Sequence, residues 1–389
     1  MVMAASSPTP YELIETLVGF DTTSEYSNLA LIAFVRDYLD GLGIASTLVP
    51  SEDGQKANLW ATIGPADRGG VVLSGHTDVV PVAGQDWSSD PFRVVERDGR
   101  LYGRGTADMK SFVAIALAMV PEFQAANLKT PIHLAFTYDE EITCFGVQEL
   151  LSKHVVHVPR PKAVIVGEPS RMEVVNAHKS IYSFATEVTG HEAHSSATHK
   201  GVNAIKVAAE LIAELNRIEA ELRVRGDPTG RFDPPYTTIQ VGVIDGGSAH
   251  NIIPKKCRFL WEFRGVPGLD PAEIPDRLKA FGERTLLPAM NAIAPETGIE
   301  TRLEIVVPVF APAEASAAET LALALARSND THTVAFGSEA GFFQAEDIPT
   351  VICGPGDIAQ AHKPDEFIER AQVEECVGFM RRLAARLSQ

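Results

Sequence analysis

The sequence lacks the features of a membrane-spanning or nucleic-acid-binding protein. It has only 34 basic residues against 51 acidic ones, a formal charge of −17, and this shortage of positive charge argues against nucleic acid as a partner. No apolar run reaches the length of a membrane span, since the run at 112–120 is too short and follows a lysine. Residues 1–8 contain no basic segment followed by an apolar run, so we expect no secretory signal.

Cysteine is also scarce, and no internal repeat or low-complexity tract is present. The four cysteines are far apart and form no Cys-x-x-Cys pair: Cys144, Cys257, Cys353 and Cys376. This pattern predicts reduced thiols in a cytoplasmic protein rather than a disulfide framework.

The length of 389 residues favours more than one domain, and 45% hydrophobic residues suffice for real cores. The first half alternates strands with helices. Helical spacing of apolar residues occurs at 11–20, 28–42 and 109–123, and strands are predicted at 46–48 and 58–63 and ending at 75, 137 and 167. This alternation predicts an α/β sheet covered by helices on both faces.

The pattern changes after Lys179. Strands and helices then follow in the order β-α-β-β-α-β of a ferredoxin-like unit, at 180–189, 202–218, 237–244, 256–264, 271–286 and 300–307. A doubly wound pattern returns after Pro312, with a helix at 313–327, a strand at 350–353 and a helix at 372–387. We therefore predict one domain interrupted by another, with boundaries at 1–179, 180–309 and 310–389.

Five candidate metal ligands lie near predicted strand ends or, in one case, at the start of a helix: His76, Asp108, Glu141, Glu168 and His362. In open α/β sheets, functional groups gather beyond the carboxyl ends of the strands, so these distant residues are expected to share one pocket. Two histidines and several carboxylates suit a pair of zinc-like cations.

Each candidate alone has an ordinary alternative. Asp108 precedes an apolar helix, which is typical of an N-cap. Glu140 and Glu141 could form a solvated acidic loop, and Glu168 a surface carboxylate. His76 could be a strand-end histidine in a polar turn; alternatively, Asp78 holds its second ring nitrogen. The combination favours the metal site. His133, inside a strand, is expected to be buried in or against the sheet.

The motifs that contain these residues resemble those of the co-catalytic zinc amidohydrolases, a family that includes aminoacylases, dipeptidases, glutamate carboxypeptidases, succinyl-diaminopimelate desuccinylase and acetylornithine deacetylase. The resemblance covers nearly the whole chain and rests on Ser74-Gly-His76-Thr-Asp78-Val-Val-Pro81, Tyr102-Gly-Arg-Gly-Thr-Ala-Asp108-Met-Lys110, Asp139-Glu140-Glu141 and Gly167-Glu168-Pro169. The segments 335–344 and 353–366, with Trp261-Glu-Phe-Arg264, look most like the acetylornithine deacetylase branch. Ser111 and Ser338 depart from the usual Gly and Thr.

The resemblance implies a role for each residue. His76 and Glu168 would bind one zinc ion, Glu141 and His362 the other, and Asp108 would bridge both. Glu140 would be the general base and Asp78 the partner of His76. His194 would reach the active site of the neighbouring subunit, while Asn251 and Arg264 would hold the substrate carboxylate. Glu339 is a candidate to bind a substrate ammonium group, and its alternative is a structural role. The ordinary alternatives for the other two are an Arg264 that pairs with a surface Glu and a His194 that is hydrogen-bonded within its own Ser-rich loop.

The resemblance also implies a zinc-peptidase-like fold, with a doubly wound mixed sheet and an inserted ferredoxin-like α+β domain that serves for dimerisation and as a lid. The expected function is metal-dependent hydrolysis of the acetyl amide of N2-acetyl-L-ornithine, in arginine biosynthesis. The expected cofactors are two divalent cations, zinc with cobalt as a substitute, in a cytoplasmic homodimer that binds no nucleic acid or membrane. The alternatives are a related amidohydrolase, namely a desuccinylase, an aminoacylase or a dipeptidase, and a non-catalytic metal-binding module.

Overall fold

A computed structural model describes residues 7–389 and divides the chain into two compact units. Unit 1 comprises the described residues up to Ala177 together with Pro312–His332 and Ser338–Gln389. Unit 2 is His178–Ala311 together with Thr333–Gly337. These limits lie close to the predicted boundaries, except for residues 333–337.

Residues 333–337 belong to unit 2 although the sequence places them in the metal-binding domain. The hydroxyl of Thr333 donates to the carbonyl of Arg231 at 2.6 Å. Gly337 lies so close to Ile181 that an added Cβ would come within 2.8 Å of its Cδ1. These local contacts hold the segment on unit 2, and no periodic pattern in so short a stretch could have predicted them.

The elements that precede unit 2 alternate helices and strands. The helices are α1 (Pro10–Val18), α2 (Leu29–Gly41), α3 (Lys110–Ala118), α4 (Val120–Ala125) and α5 (Phe145–Lys153). The strands are β1 (Ser46–Pro50), β2 (Ala57–Ile63), β3 (Val71–His76), β4 (Val95–Arg97), β5 (Arg100–Tyr102), β6 (Ile132–Thr137), β7 (Ala163–Pro169) and β8 (Val174–His178).

The remaining elements are divided between the inserted unit and the C-terminal segment. From residue 180 to 307 they are β9 (Ser180–Thr189), α6 (Ala204–Arg225), β10 (Thr238–Gly246), β11 (Lys256–Gly265), α7 (Glu273–Phe281), α8 (Leu287–Ile293) and β12 (Gly298–Val307). After them come α9 (Ala317–Ala326), β13 (Thr331–Val334), α10 (Ala340–Ala345), β14 (Thr350–Gly354), β15 (Phe367–Glu369) and α11 (Arg370–Leu387). No helix within residues 7–389 combines the length and apolar character needed to cross a membrane.

The large sheet has eight strands in the order β1-β2-β6-β3-β7-β14-β8-β13. Its four central strands, β6, β3, β7 and β14, run parallel, whereas β1, β2 and β8 pair antiparallel with their neighbours. The central strands are buried throughout, as expected of strands covered on both faces. This mixed sheet confirms the predicted α/β class.

Parallel pairing brings the carboxyl ends of the central strands to one edge. His76, the last residue of β3, pairs with Thr137, the last residue of β6. Glu168 lies near the end of β7, and Gly354 at the end of β14 pairs with Pro169. The polar residues that follow these strands therefore share one edge of the sheet.

Two predicted helices differ from those observed for clear local reasons. The prediction at 109–123 is divided into α3 and α4, because Pro121 lacks the N–H that a continuous helix needs and is tolerated only in the first turn of α4. The helix predicted at 202–218 extends to Arg225, because the buried spacing continues through Leu222 until Gly226, with a φ of 66°, ends it.

Unit 2 contains a four-stranded antiparallel sheet in the order β10-β11-β9-β12. This order and the element sequence are those of a ferredoxin-like unit. Along β11 the buried residues alternate with less buried ones, as the sequence predicts for Cys257, Phe259, Trp261 and Phe263. They pack with apolar residues of α6 and α7 into one core.

Candidate metal centre

The five predicted metal ligands form two overlapping groups at the carboxyl edge of the large sheet. His76, Asp108 and Glu168 make one group, and Asp108, Glu141 and His362 make the other. In each group the possible ligand atoms all lie within 4.8 Å of one another. Asp108 belongs to both groups, which is the position that a bridging carboxylate requires.

Individual distances show how tightly the side chains approach. His76 Nε2 lies 3.0 Å from Asp108 Oδ1 and 3.8 Å from Glu168 Oε1. His362 Nε2 lies 3.4 Å from Asp108 Oδ2 and 3.0 Å from Glu141 Oε2. The two carboxylate oxygens of Asp108 therefore face different histidines.

Asp108 does not have the N-cap role that its place in the sequence also allows. Helix α3 begins at Lys110, its N-cap is Met109, and no side chain caps it. The carboxylate of Asp108 instead faces His76 and His362. Asp108 is 5% exposed, so its charge depends on these neighbours.

Asp78 fixes the site through its backbone as well as its side chain. His76 Nδ1 lies 2.9 Å from the carbonyl oxygen of Asp78, closer than the 3.5 Å to its carboxylate. That carboxylate accepts hydrogen bonds from the N–H groups of Glu140 and Glu141 at 3.1 and 3.2 Å and from the Ser24 hydroxyl at 2.7 Å. Asp78 thus orients His76 and holds the turn that carries Glu140 and Glu141.

The pKa values of the acidic residues in this site are shifted, because several charged side chains lie close together and away from solvent. Burial and the neighbouring carboxylates raise the pKa of Glu168 and of Glu140 well above the usual range, although His76 opposes the shift. Burial and Asp108 raise the pKa of Glu141 to about 7. Burial alone would raise the pKa of Asp108, but hydrogen bonds from His362 and His76 outweigh it and lower that pKa.

The pKa values of the two histidines are raised by the same carboxylates. Hydrogen bonds to Asp108 and Glu141 raise the pKa of His362 to about 10. Burial would lower the pKa of His76, but Asp108 and Asp78 outweigh it and raise that pKa well above its ordinary value. In the metal-free protein, protons therefore partly balance the carboxylates.

The residues fit a pair of divalent cations. Glu168 is 3% exposed, and its Oε1 has no hydrogen-bond partner, which is costly for a buried carboxylate. Carboxylate oxygens and imidazole nitrogens are ligands that zinc accepts. Cations bound here would satisfy Glu168 and remove the repulsion among the acidic side chains.

The predicted residues of unit 2 lie at or near its surface. His194 is exposed, and its Nδ1 lies 2.8 Å from the Ser196 hydroxyl. Asn251 is exposed and pairs with the same loop, its carbonyl accepting from the Ser195 N–H at 3.1 Å. Arg264 is partly exposed, and its Nε donates to Glu262 at 3.1 Å. The structure thus places His194 and Asn251 together, while their roles stay predictions.

Glu339 is 1% exposed, and its Oε2 accepts from the Ser74 hydroxyl at 3.1 Å, whereas its Oε1 has no hydrogen-bond partner. Burial raises its pKa to about 7. In this structure the carboxylate is directed at β3, so its role toward a substrate ammonium group also stays a prediction.

Sequence reasoning missed the residues that support the ligands. Arg104 and Glu366 are each 1% exposed and form an ion pair beside Asp108. Lys110 is fully buried, its Nζ donates to the carbonyl of Phe20 at 2.7 Å, and burial lowers its pKa to about 7. The signals available were Arg104 between two glycines and Glu366 shortly after His362, but isolated charged residues in loops are usually solvated.

Comparison with known proteins shows the family to which the chain belongs. The family model described as peptidase family M20/M25/M40 matches residues 72–386. Acetylornithine deacetylase of Proteus mirabilis is 35% identical over 374 residues, covering 94% of each chain.

Two solved structures have the same fold. A tripeptidase of Staphylococcus aureus has a TM-score of 0.74 at 21% identity and covers 97% of this chain and 98% of its own. A dinuclear metal-binding peptidase from the M20 family of Bacillus subtilis has a TM-score of 0.64 at 16% identity, covering 97% and 98%. The chain with these two ligand groups is therefore a hydrolase of peptidase family M20/M25/M40.

Proposed function

We propose that this protein is a two-metal amidohydrolase that cleaves the acetyl amide of N2-acetyl-L-ornithine to ornithine and acetate, in the cytoplasm and as a step of arginine biosynthesis. The observation that carries the proposal is the pair of ligand groups sharing Asp108, with Glu140 held beside them. The choice of substrate is supported by the full-length similarity to relatives named acetylornithine deacetylase.

His76, Asp108 and Glu168 would hold one cation, and Asp108, Glu141 and His362 the other. Zinc is proposed, with cobalt as a substitute. When bound, such a pair lowers the pKa of water to about 7 and polarises the substrate carbonyl.

Glu140 would handle the proton of the reaction. Its carboxylate accepts a proton from the attacking water as the new C–O bond forms, and returns it to the amine nitrogen as the C–N bond breaks. The backbone N–H of Glu140 is tied to Asp78 at 3.1 Å, so the general base and the partner of His76 are positioned together.

The substrate-binding part of the proposal rests on the family resemblance of unit 2. Arg264 would bind the α-carboxylate, since a planar guanidinium suits a carboxylate, and Asn251 would assist it. His194 would act on the scissile carbonyl in the neighbouring subunit of a homodimer, with unit 2 as dimerisation surface and lid. Glu339, which belongs to unit 1, would face the substrate ammonium group.

The first test is hydrolysis by zinc- or cobalt-loaded protein of N-acetyl-L-ornithine, N-succinyl-diaminopimelate, N-acetyl-methionine and a dipeptide. We expect preference for N-acetyl-L-ornithine, abolished by a chelator. Preference for another amide would leave the proposed mechanism unchanged but would replace N-acetyl-L-ornithine as the proposed substrate. No turnover by protein that contains metal would favour a non-catalytic module.

Glu140→Gln tests the general base. The variant should keep its metal, because Glu140 is outside both ligand groups, while kcat falls roughly 10²–10⁴-fold. Glu122→Gln, whose partner is Arg381 on α11, is the matched control and should retain full activity. Near-normal turnover in metal-loaded Glu140→Gln would remove Glu140 from the role.

The trans role of His194 is tested by mixing subunits. The separate His194→Ala and Glu140→Gln proteins should each have strongly reduced turnover, but in a mixed dimer one intact site should form. Restored turnover supports the exchange of His194 between subunits. A mixed sample as inactive as its parents, with mixed dimers shown by mass, overturns it.

A further inference from the structure

A polar network, buried at Glu366 and Arg104 and partly exposed at Gln85, connects the two loops that carry Asp108 and His362. Its members are Glu366, Arg104 and Gln85, none of which belongs to either ligand group. The network lies wholly within unit 1. It begins where β15 pairs with β5, because the N–H of Gly103 after β5 donates to the carbonyl of Glu366 before β15 at 2.9 Å.

Glu366 holds the backbone on which Asp108 stands. Its Oε1 accepts hydrogen bonds from the N–H groups of Ala107 at 2.8 Å and Asp108 at 3.1 Å. Its Oε2 accepts from Arg104 at 2.6 Å. Both oxygens of this carboxylate are therefore used, and none is left for a cation without breaking a contact.

Arg104 carries the connection onward. One terminal nitrogen also donates to the carbonyl of Lys363 at 3.3 Å, and the other donates to Gln85 Oε1 at 2.6 Å. The guanidinium lies 5.0 Å from the ring centre of Trp87. Arg104 is thus fixed on several sides, which suits a rigid support.

Gln85 completes the network at the second loop. Its Nε2 donates to the backbone carbonyl of His362 at 2.9 Å. The side chain of His362 is 51% exposed and its φ is 63°, a left-handed conformation that non-glycine residues adopt at a cost. Packing alone does not hold so exposed a ligand, and this hydrogen bond fixes its backbone.

We propose that Glu366 positions Asp108 directly and His362 through Arg104 and Gln85. By positioning both ligands, Glu366 sets the affinity of both ligand groups for their cations. The inference rests on the proposed two-metal function. Glu366 touches the residue shared by both ligand groups, whereas Gln85 touches a residue of one group only. Substitution of Glu366 and substitution of Gln85 should therefore have different effects on the affinity for the two cations.

An ordinary structural ion pair is the competing explanation. Such a pair would lower overall stability when broken, but would leave cation binding unchanged in protein that is still folded. Support of metal ligands typically changes metal affinity by about 10–100-fold. The two explanations thus differ in a quantity other than activity.

The experiment is titration of metal-free protein with Co²⁺ against a competing chelator, followed by the visible absorption of the bound ion. Glu366→Gln keeps the size of the side chain but replaces the carboxylate with a neutral amide. Arg104 then faces either an NH₂ group or an uncharged oxygen. We expect about 10–100-fold weaker binding of both equivalents and an altered spectrum. Glu366→Asp, which keeps the charge, should recover part of the loss.

Gln85→Ala should weaken one equivalent and leave the other unchanged, because its contact is to His362 alone among the ligands. Glu122→Gln is the control for loss of an ion pair, and Leu383→Ala in α11 controls for lost stability. Both controls should bind two equivalents with unchanged affinity, although Leu383→Ala unfolds more easily.

The wild-type titration separates the two proposals. Fewer than two equivalents bound by wild-type protein would overturn the proposed two-metal function itself. Two equivalents in wild type with an identical titration of Glu366→Gln would overturn the positioning role alone. Should Glu366→Gln fail to fold, Gln85→Ala decides, since binding of both equivalents at wild-type affinity contradicts the connection to His362.

Discussion

Unit 1 buries two of its candidate carboxylates, Asp108 and Glu168, although His362 is half exposed, whereas unit 2 keeps its candidate residues at or near the surface. Asp108 and Glu168 are 5% and 3% exposed, and an oxygen of Glu168 has no hydrogen-bond partner. The Arg264 side chain in unit 2 is 36% exposed and is already paired with Glu262. A buried carboxylate requires a proton or a cation, but an exposed arginine is satisfied by water and a neighbour. Burial therefore gives the first set a specific chemical demand that the second set lacks.

The largest expected effect is a pH dependence of the free energy of unfolding, which these residues should cause only in the metal-free protein. Glu141 has an unfolded pKa near 4.5 and a folded pKa of about 7, so its stabilising contribution is complete below pH 4.5 and is lost as the pH rises through 7. This group alone corresponds to on the order of 3 kcal/mol, and the raised pKa values of Glu140, Glu168, His76 and His362 act in the same direction.

Denaturant unfolding with a chelator present should therefore give a smaller free energy of unfolding at pH 7 than at pH 5. Zinc-loaded protein should lose this trend, because cations replace the protons. His133 titrates in both forms, so the pH trend of the metal-free protein is compared with that of the zinc-loaded protein. A metal-free protein that becomes more stable relative to the zinc-loaded one over this interval would show that the buried carboxylates of unit 1 do not repel one another.

The next effect concerns the core of unit 2. Phe259 on β11 is fully buried, so Phe259→Ala should lower the free energy of unfolding by about 3–5 kcal/mol. Leu303→Ala on β12 is the control, since Leu303 is 53% exposed and a surface change costs within about 0.5 kcal/mol. Equal losses in the two variants would mean that this sheet is covered on both faces in solution.

A smaller effect is expected from a histidine of unit 1 outside the metal centre. His133 is 2% exposed, stacks on Trp60 with ring centres 5.0 Å apart, and has a pKa lowered to about 4 by burial and by His154. Its contribution is present above pH 6.5 and is lost as the pH falls through 4, which amounts to about 3 kcal/mol.

His133→Phe keeps a ring against Trp60 but cannot titrate. The difference in unfolding free energy between wild type and variant should therefore move in favour of the variant as the pH falls from 6.5 to 4. The measurement is chemical denaturation of both proteins under the same metal conditions. A constant difference across this range would contradict the burial of a neutral His133.

The smallest expected effect tests the exposed set of unit 2. Arg264→Lys keeps the charge but loses the planar fork, so the KM for N-acetyl-L-ornithine should rise roughly tenfold, about 1.4 kcal/mol, with a lesser change in kcat. Steady-state kinetics measures both constants, and Arg258→Lys on the same strand is the control. An unchanged KM would leave Arg264 as the partner of Glu262 alone.

The sequence predicts the clustering of the candidate metal ligands well, because buried parallel strands appear as apolar runs with a polar residue at the end. Ile132–Thr137 and Ala163–Pro169 follow this rule, so Glu140, Glu141 and Glu168 could be placed at one edge before any coordinates. The alternating Cys257–Phe263 segment likewise predicted a strand with one buried face.

Other features depend on contacts between distant parts of the chain. Strand β8 lies next to β14 although long stretches of sequence separate them, and the short strands β4, β5 and β15 have too few residues to show a period. The atom of Asp78 that approaches His76 most closely is a backbone oxygen, which residue type cannot reveal. The same holds for Glu366, which is indistinguishable from a solvated loop acid until Arg104 is placed against it.

The interruption of unit 1 by unit 2 has a consequence for the order of synthesis. The first ligand group is complete once residue 168 has left the ribosome, but the second needs His362, which follows the whole inserted unit. Glu366, which ties down the shared aspartate, emerges later still. The growing chain therefore lacks His362 and Glu366 through the translation of about two hundred residues after Glu168, and the second ligand group can form only when synthesis is nearly finished.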